Sequence, residues 1–221
     1  MKNAYYTVDN LRGKAQELHT AFAADRSNRQ THFSPSKSAL LVLDMQRYFL
    51  DSDSHAFIPS AAAIIPEIRA LIDTYRLKNL PMIFTRHINT PDNAGMMAKW
   101  WRDSIRGDDP RSEIIHQLDT AHAKVIVKSQ YDAFYGTALQ ELLEANRVEQ
   151  LVICGVMTHL CCESTARAAF MHGFEVFFAI DGTATYNEEH QRATLLNLSH
   201  GFATLVLAQD IVGKVSKAHA D

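Results

Sequence analysis

An acid, a cation and a thiol stand at three separate points of this 221-residue chain, each just downstream of a short apolar run. Asp44 closes Leu41-Val42-Leu43-Asp44-Met45-Gln46, and Lys128 closes Val125-Ile126-Val127-Lys128. Cys161 follows Leu151-Val152-Ile153-Cys154 through Gly155-Val156-Met157-Thr158-His159-Leu160. A thiol attacks well only as thiolate, and a helix N-terminus with a nearby ammonium lowers its pKa. Asp44 could take the thiol proton and pass it to a leaving group, while Lys128 steadies the anion and orients the carboxylate. Backbone N–H groups in the turn before Cys161 would hold an oxyanion. That chemistry is acyl transfer to water, above all amide hydrolysis. Each residue has a plainer role open to it as well. An acid at a strand end caps a loop, a lysine there is solvated, and a cysteine at a strand–helix junction packs as a small apolar group. Cys154 and Cys162 read as packing residues, and spacing alone does not force Asp44, Lys128 and Cys161 together.

Their positioning depends on the elements around them. Six short apolar runs recur, at 39–43, 81–85, 125–127, 151–154, 176–180 and 204–207. They are apolar on both faces, as strands covered by helices on each side must be. Helix signals lie between them. Thr137 with Gln140 and Thr185 with Glu188 have capping-box spacing, and Gly173 and Gly201 are placed to end helices. Alternating strands and helices predict a three-layer α/β/α, Rossmann-type fold with a six-stranded parallel sheet joined by right-handed crossovers. Ligands bind such sheets at the carboxyl ends of the strands, near the reversal of strand order. The domain is expected over 37–215, with a helical N-terminal arm over 1–36 packing on a neighbouring subunit and a C-terminal tail over 216–221. The long connection at 86–122 holds Trp100 and Trp101, and connections of that length are usually functional or disordered.

Composition narrows the field. Apolar residues make up 47% and charged residues 21%, which suits a globular chain with a sizeable core. Twenty-two basic against 25 acidic residues give a net charge of −3, so no basic surplus points to nucleic acid or an anionic membrane. No apolar run approaches the ~18 residues that cross a bilayer. Three cysteines, two of them adjacent, form no disulfide framework, which predicts a reducing cytoplasm. Cys161-Cys162 is no redox pair, since vicinal cysteines form strained bridges.

At these residues the chain resembles the isochorismatase-like, or cysteine hydrolase, superfamily. The resemblance rests on Asp44 in LLVLDMQ, Lys128 in VIVKSQYDAFYGT and Cys161 in ICGVMTHLCCESTARAAF, in order over residues 37–212. It implies Cys161 as nucleophile, Asp44 as proton carrier and Lys128 as electrostatic partner. It also implies a cis peptide between Val156 and Met157, with the backbone N–H groups of Met157 and Cys161 as the oxyanion hole. Members that act on isochorismate cleave a vinyl ether without needing the thiol, and typically carry an Arg two residues after the Lys. Gln130 stands there in this chain, and Cys161 is kept, so the resemblance implies an amidase-type hydrolase, closest in texture to N-carbamoylsarcosine-amidase-like enzymes. The expected substrate is a small amide, carbamoyl or ureido compound. Nicotinamidases of the superfamily bind a metal through Asp-x-His after the second strand. Thr85-Arg86-His87-Ile88 lacks that pair, and no HxH or HExxH occurs, so neither a metal nor another cofactor is expected.

Substrate contacts are expected from Gln46, Arg86, His87, Trp100, Trp101, Tyr131, Phe134 and His159, which flank the motifs. For the aromatic residues core packing is an equal alternative. Arg86 would meet an anionic substrate or pair with an acid of the 103–113 stretch. Asp181-Gly182-Thr183 would shape the pocket rim or a subunit contact. A homo-oligomer, dimer or tetramer, is expected, with a small molecule as substrate.

Overall fold

The computed structural model describes residues 1–23, 32–101 and 103–218. Parts of the expected arm (24–31) and tail (219–221) therefore lie outside the described residues. Six parallel strands form one sheet: β1 (Ser38–Leu43), β2 (Met82–His87), β3 (Lys124–Lys128), β4 (Gln150–Val156), β5 (Glu175–Ala184) and β6 (Thr204–Val206). Their order is β3-β2-β1-β4-β5-β6. Every residue of β1 and β4 is buried, as their unbroken apolar runs require. Order reverses between β1 and β4, so the crevice of this doubly wound sheet opens beyond Leu43 and Val156.

Among the described residues, eight α-helices connect and cover the strands: α1 (Leu11–Ala23), α2 (Arg47–Leu50), α3 (Ile65–Leu77), α4 (Met97–Trp100), α5 (Leu139–Ala145), α6 (Glu163–Met171), α7 (Glu188–Gly201) and α8 (Ala208–Lys217). Right-handed crossovers put α3 on one face, where α8 packs against it, and α6 and α7 on the other. At the sheet edge, β3 leaves Val125 and Val127 half exposed.

Several local readings change. Thr137 Oγ1 accepts from Leu139 N (3.2 Å), but Gln140 reaches Glu144 instead of returning a cap. α7 is capped by Asn187, whose side chain accepts from His190 N (2.9 Å), and not by Thr185. The described part of the expected arm packs on this chain's own core: Tyr5, Tyr6, Leu11, Ala15 and Leu18 are buried in the hydrophobic cluster, with α1 against β5, β6 and α7. The spacing 11, 15, 18 is one face of a helix, and that face is apolar because it meets the sheet.

Asp181 lies inside β5 and is buried, and it is not among the residues that line the cavity beside Cys161. Its Oδ1 accepts from Ala208 N (2.8 Å), so it caps α8 from a distance. Burial pushes its carboxyl up to about 6, against the opposing pull of that N–H. Below 6 the folded chain retains a proton that the unfolded chain, titrating at about 4, has released. This residue's contribution to stability therefore falls as pH rises through that window. D181N keeps the acceptor and drops the charge. Its melting temperature relative to the parent should climb as pH goes from 4 to 7, and a constant or shrinking difference would show that the buried charge carries no such cost.

Candidate active site

Asp44 follows β1 in the left-handed region, at φ 49°, a conformation an Asp adopts more readily than most residues. The turn aims its side chain across the sheet end toward β2. Thr85 Oγ1 donates to Asp44 Oδ1 (2.6 Å) and accepts from Asp44 N (3.2 Å), which ties both the side chain and the backbone of Asp44 to β2. On the other side Gly155, at φ 116°, lets β4 close on β1. A Cβ there would collide with the Leu43 backbone.

Lys128 ends β3 with its side chain fully buried. Its Nζ lies 2.7 Å from Asp44 Oδ2, donates to Gln130 O (2.9 Å) and to Cys161 Sγ (3.3 Å), and stands 3.3 Å from His87 Nδ1. The ammonium donates to His87 Nδ1, so the ring carries its proton on Nε2, which donates to Asn89 Oδ1 (3.0 Å). Asn89 Nδ2 in turn donates to Ser129 O (2.9 Å). Asp44 Oδ2 is the carboxylate oxygen that meets the ammonium. Cys161 sits in a single π-helical turn, Thr158–Cys162, which runs into α6. The Val156–Met157 peptide is cis.

The electrostatics follow from burial and from this one cation. Burial alone would raise the Asp44 carboxyl, but Lys128, with His87 and the hydrogen bonds, outweighs it and holds the group ionised. Burial would likewise lower Lys128, and Asp44 with Cys161 keeps it charged. Burial, then Lys128, depresses His87 to about 4, so the ring is neutral. The thiol runs against expectation: burial pushes Cys161 up to about 12, opposed by Lys128 and seconded by Asp44. At rest the site is carboxylate, ammonium and protonated thiol.

Asp44, His87 and Cys161 also bring ligand-type atoms within 4.8 Å of one another. The Lys128 ammonium stands among all three, so a cation already fills the space a metal ion would need. The three donors are of metal-binding type, but with the ammonium in their midst they do not fit a metal ion there.

Cys161 opens onto a cavity of about 530 Å³, mouth included. Of the residues expected to touch substrate, His87, Trp101 and Tyr131 line it, as does Met157, and Trp101 Nε1 donates to Tyr131 Oη (2.8 Å). The others sit elsewhere. Gln46 is buried, donating to His87 O and Ser112 O and accepting from His87 N, so it ties β2 to the long connection. Arg86 takes its alternative, pairing with Glu113 (2.7 Å) and Ser112. Trp100 is 74% exposed. Phe134 stacks on His172 and Phe174, and His159 stacks on His190 and bonds Thr185 Oγ1. The remaining walls, which sequence reasoning missed, are chiefly Tyr48, Phe49 and His55 after β1, Ile105 in the long connection, Leu160, and Tyr186 after β5. Among the described residues no Lys or Arg lines the cavity, and Asp103 stands at its edge.

Residues 38–210 match the Isochorismatase domain family. The chain is 43% identical to nicotinamidase 3 of Arabidopsis thaliana over 174 residues, covering 76% of this chain and 84% of that protein. Among solved structures, N-carbamoylsarcosine amidase from Thermoplasma acidophilum is 28% identical with a TM-score of 0.69, over 78% of this chain and 96% of the other. A cysteine hydrolase from Pseudomonas syringae pv. phaseolicola shares the fold with a TM-score of 0.83 at 23% identity, over 87% of this chain and all of the other.

Removing Lys128 should expose how much the buried pair costs to break. K128M strands the Asp44 carboxylate without its counter-ion and should lose about 3–5 kcal/mol in urea unfolding, while D44N/K128M should recover most of that. A loss under about 1 kcal/mol in the single variant would contradict the desolvated ion pair.

Proposed function

The chain belongs to the isochorismatase family of hydrolases, and we propose that it cleaves the C–N bond of a small uncharged amide, carbamoyl or ureido compound through a covalent acyl-enzyme on Cys161. One observation carries this reading: Lys128 Nζ lies within 3.3 Å of both Asp44 Oδ2 and Cys161 Sγ, and Cys161 lines the pocket. Thiol and carboxylate share a single counter-ion, so a proton can pass from one to the other while the net charge of the site stays constant.

The steps follow from that. Asp44 takes the Cys161 proton as the sulfur attacks the carbonyl carbon. The oxyanion is held by the backbone N–H groups of Met157 and Cys161. Asp44 returns the proton to the amide nitrogen, the C–N bond breaks, and ammonia or an amine leaves. Water then attacks the thioester, giving its proton to Asp44. The C–S bond breaks, the acid is released, and Asp44 returns the proton to sulfur. His87, neutral and fixed by Asn89, orients the ammonium.

The walls favour a flat, uncharged substrate. Tyr48, Phe49, Trp101, Tyr131 and Tyr186 present aromatic surface, and no described Lys or Arg lines the cavity to meet a carboxylate. Flat carboxamides such as nicotinamide therefore lead the candidates, a choice the 43% identical nicotinamidase supports. The vinyl ether of isochorismate, a dianion, is the weaker fit.

Ammonia release from a panel of nicotinamide, simple amides, carbamoyl compounds and ureides tests the reading. The parent should turn over at least one, and C161A should lose at least about a thousandfold in kcat. Activity retained in C161A would overturn the covalent route and favour acid catalysis by Asp44 alone. The pH profile gives a second check. With His87 at about 4 and Cys161 at about 12, kcat/KM should be flat from about pH 5.5 to 9. An inflection near the ordinary histidine value of about 6.5 would mean that an ionisable imidazole takes part.

A further inference from the structure

Residues 1–6 lie outside the matched family domain, yet they join two walls of the pocket. Lys2 Nζ donates to the carbonyl of His55, and the same ammonium lies 4.3 Å above the centre of the Tyr186 ring. His55 and Tyr186 both line the cavity, from the loop after α2 and from the segment after β5. The backbone around Lys2 follows the second wall. Asn3 N donates to Tyr186 O (2.8 Å), and Asn187 Nδ2 donates to Met1 O (3.1 Å). The buried Tyr5 and Tyr6 anchor the segment beneath. Tyr5 Oη accepts from Thr185 N (3.1 Å) and donates to Gln191 Oε1 (3.0 Å), and Tyr6 N donates to Ser60 Oγ (3.0 Å). Ser60 ends the loop that carries His55, and Thr185 precedes Tyr186.

We propose that residues 1–6 act as a strap that sets the spacing of the pocket walls, with Lys2 as the positioning residue that holds His55 and Tyr186 in place for substrate. Lys2 touches neither Cys161 nor Asp44 in any hydrogen bond or ion pair, so its contribution falls on binding and not on bond cleavage. The two contacts differ in kind. The carbonyl takes any cationic donor of sufficient reach, and the ring takes a cation on its face, so arginine can replace both and methionine neither. The tyrosine pair below keeps the segment folded on the core when the ammonium is removed, which separates positioning from folding. The inference rests on the hydrolase reading for its substrate and on the geometry alone for its effect on the pocket.

The test compares K2M and K2R with the parent. With the best amide of the panel, K2M should raise KM by about two- to fivefold, the range that a partly exposed cation–π contact supports, with kcat unchanged within about twofold. K2R should restore KM, and neither variant should shift the melting temperature appreciably. An unchanged KM in K2M, or a fall confined to kcat, overturns the proposal. A second readout needs no turnover: alkylation of Cys161 by iodoacetamide and by the bulkier N-ethylmaleimide, located by mass spectrometry. K2M should change the ratio of the two rates and K2R should return it, whereas an unchanged ratio overturns the strap. If the parent releases no ammonia from any compound, the hydrolase reading fails, and the alkylation ratio still decides the role of Lys2.

Discussion

A single buried ammonium organises this molecule. Lys128 has no exposed side-chain surface, and charge in that position survives only against a compensating anion. The anion comes from β1 while the lysine comes from β3, and β2 lies between them. Two interstrand spacings amount to about 9–10 Å, which a long side chain must cross over the intervening strand. Thr85 and His87 of β2 lie beneath the crossing, on the same face because they are two apart, and each contacts one member of the pair. The order 3-2-1-4 then brings β4 to the far side of Asp44, and the turn after it delivers Cys161 to the same ammonium. Sheet order, left-handed Asp44 and the close approach at Gly155 are thus parts of one requirement, that three groups from three strands meet on one cation.

That requirement also explains which residues support the site without facing the pocket. Gln46 was read from the sequence as a substrate contact and Arg86 as either that or the partner of an acid in the 103–113 stretch; Arg86 pairs with Glu113, and both residues bind Ser112 of the long connection. An antiparallel bridge between Gln46 and Ile114 continues the attachment. The connection carries Met97, Trp101 and Ile105 into the cavity wall, so residues beside the motifs act by holding that wall to the sheet end.

The legible part of the fold was the part with a period. Six apolar runs marked six strands, and the trio at their ends marked the crevice, because a strand buried on both faces cannot conceal its composition. Alternation carried more information than proximity did: on β2, His87 faces the site and Arg86 the other side, a distinction that period two makes. The helical pattern of α1 was legible too, but not what its apolar stripe at 11, 15 and 18 packs on, which is this chain's own sheet. The walls at Tyr48, His55 and Tyr186 had no such signal. Tyr48 comes from the single-turn helix α2, too short to show a period, and His55 and Tyr186 come from irregular segments, where backbone geometry and not spacing decides which side chain turns inward.

The state of the thiol shows how activation must work in such a place. A helix N-terminus was expected to lower the Cys161 pKa, yet the residue lies within a π-helical turn, and burial dominates, holding the proton on sulfur. A standing thiolate would put two anions beside one ammonium in a site with little water to share the charge, and that arrangement is costly. Moving the proton to Asp44 avoids it, because one anion is exchanged for another at a similar distance from the same cation. On the proposed mechanism the nucleophile is therefore generated only as the carboxylate is neutralised, and Lys128 must keep its charge throughout. A lysine buried against the Asp44 carboxylate, with Gln130 O, Cys161 Sγ and His87 Nδ1 as further acceptors, is held to that charge because each of these neighbours offers it negative charge or a lone pair.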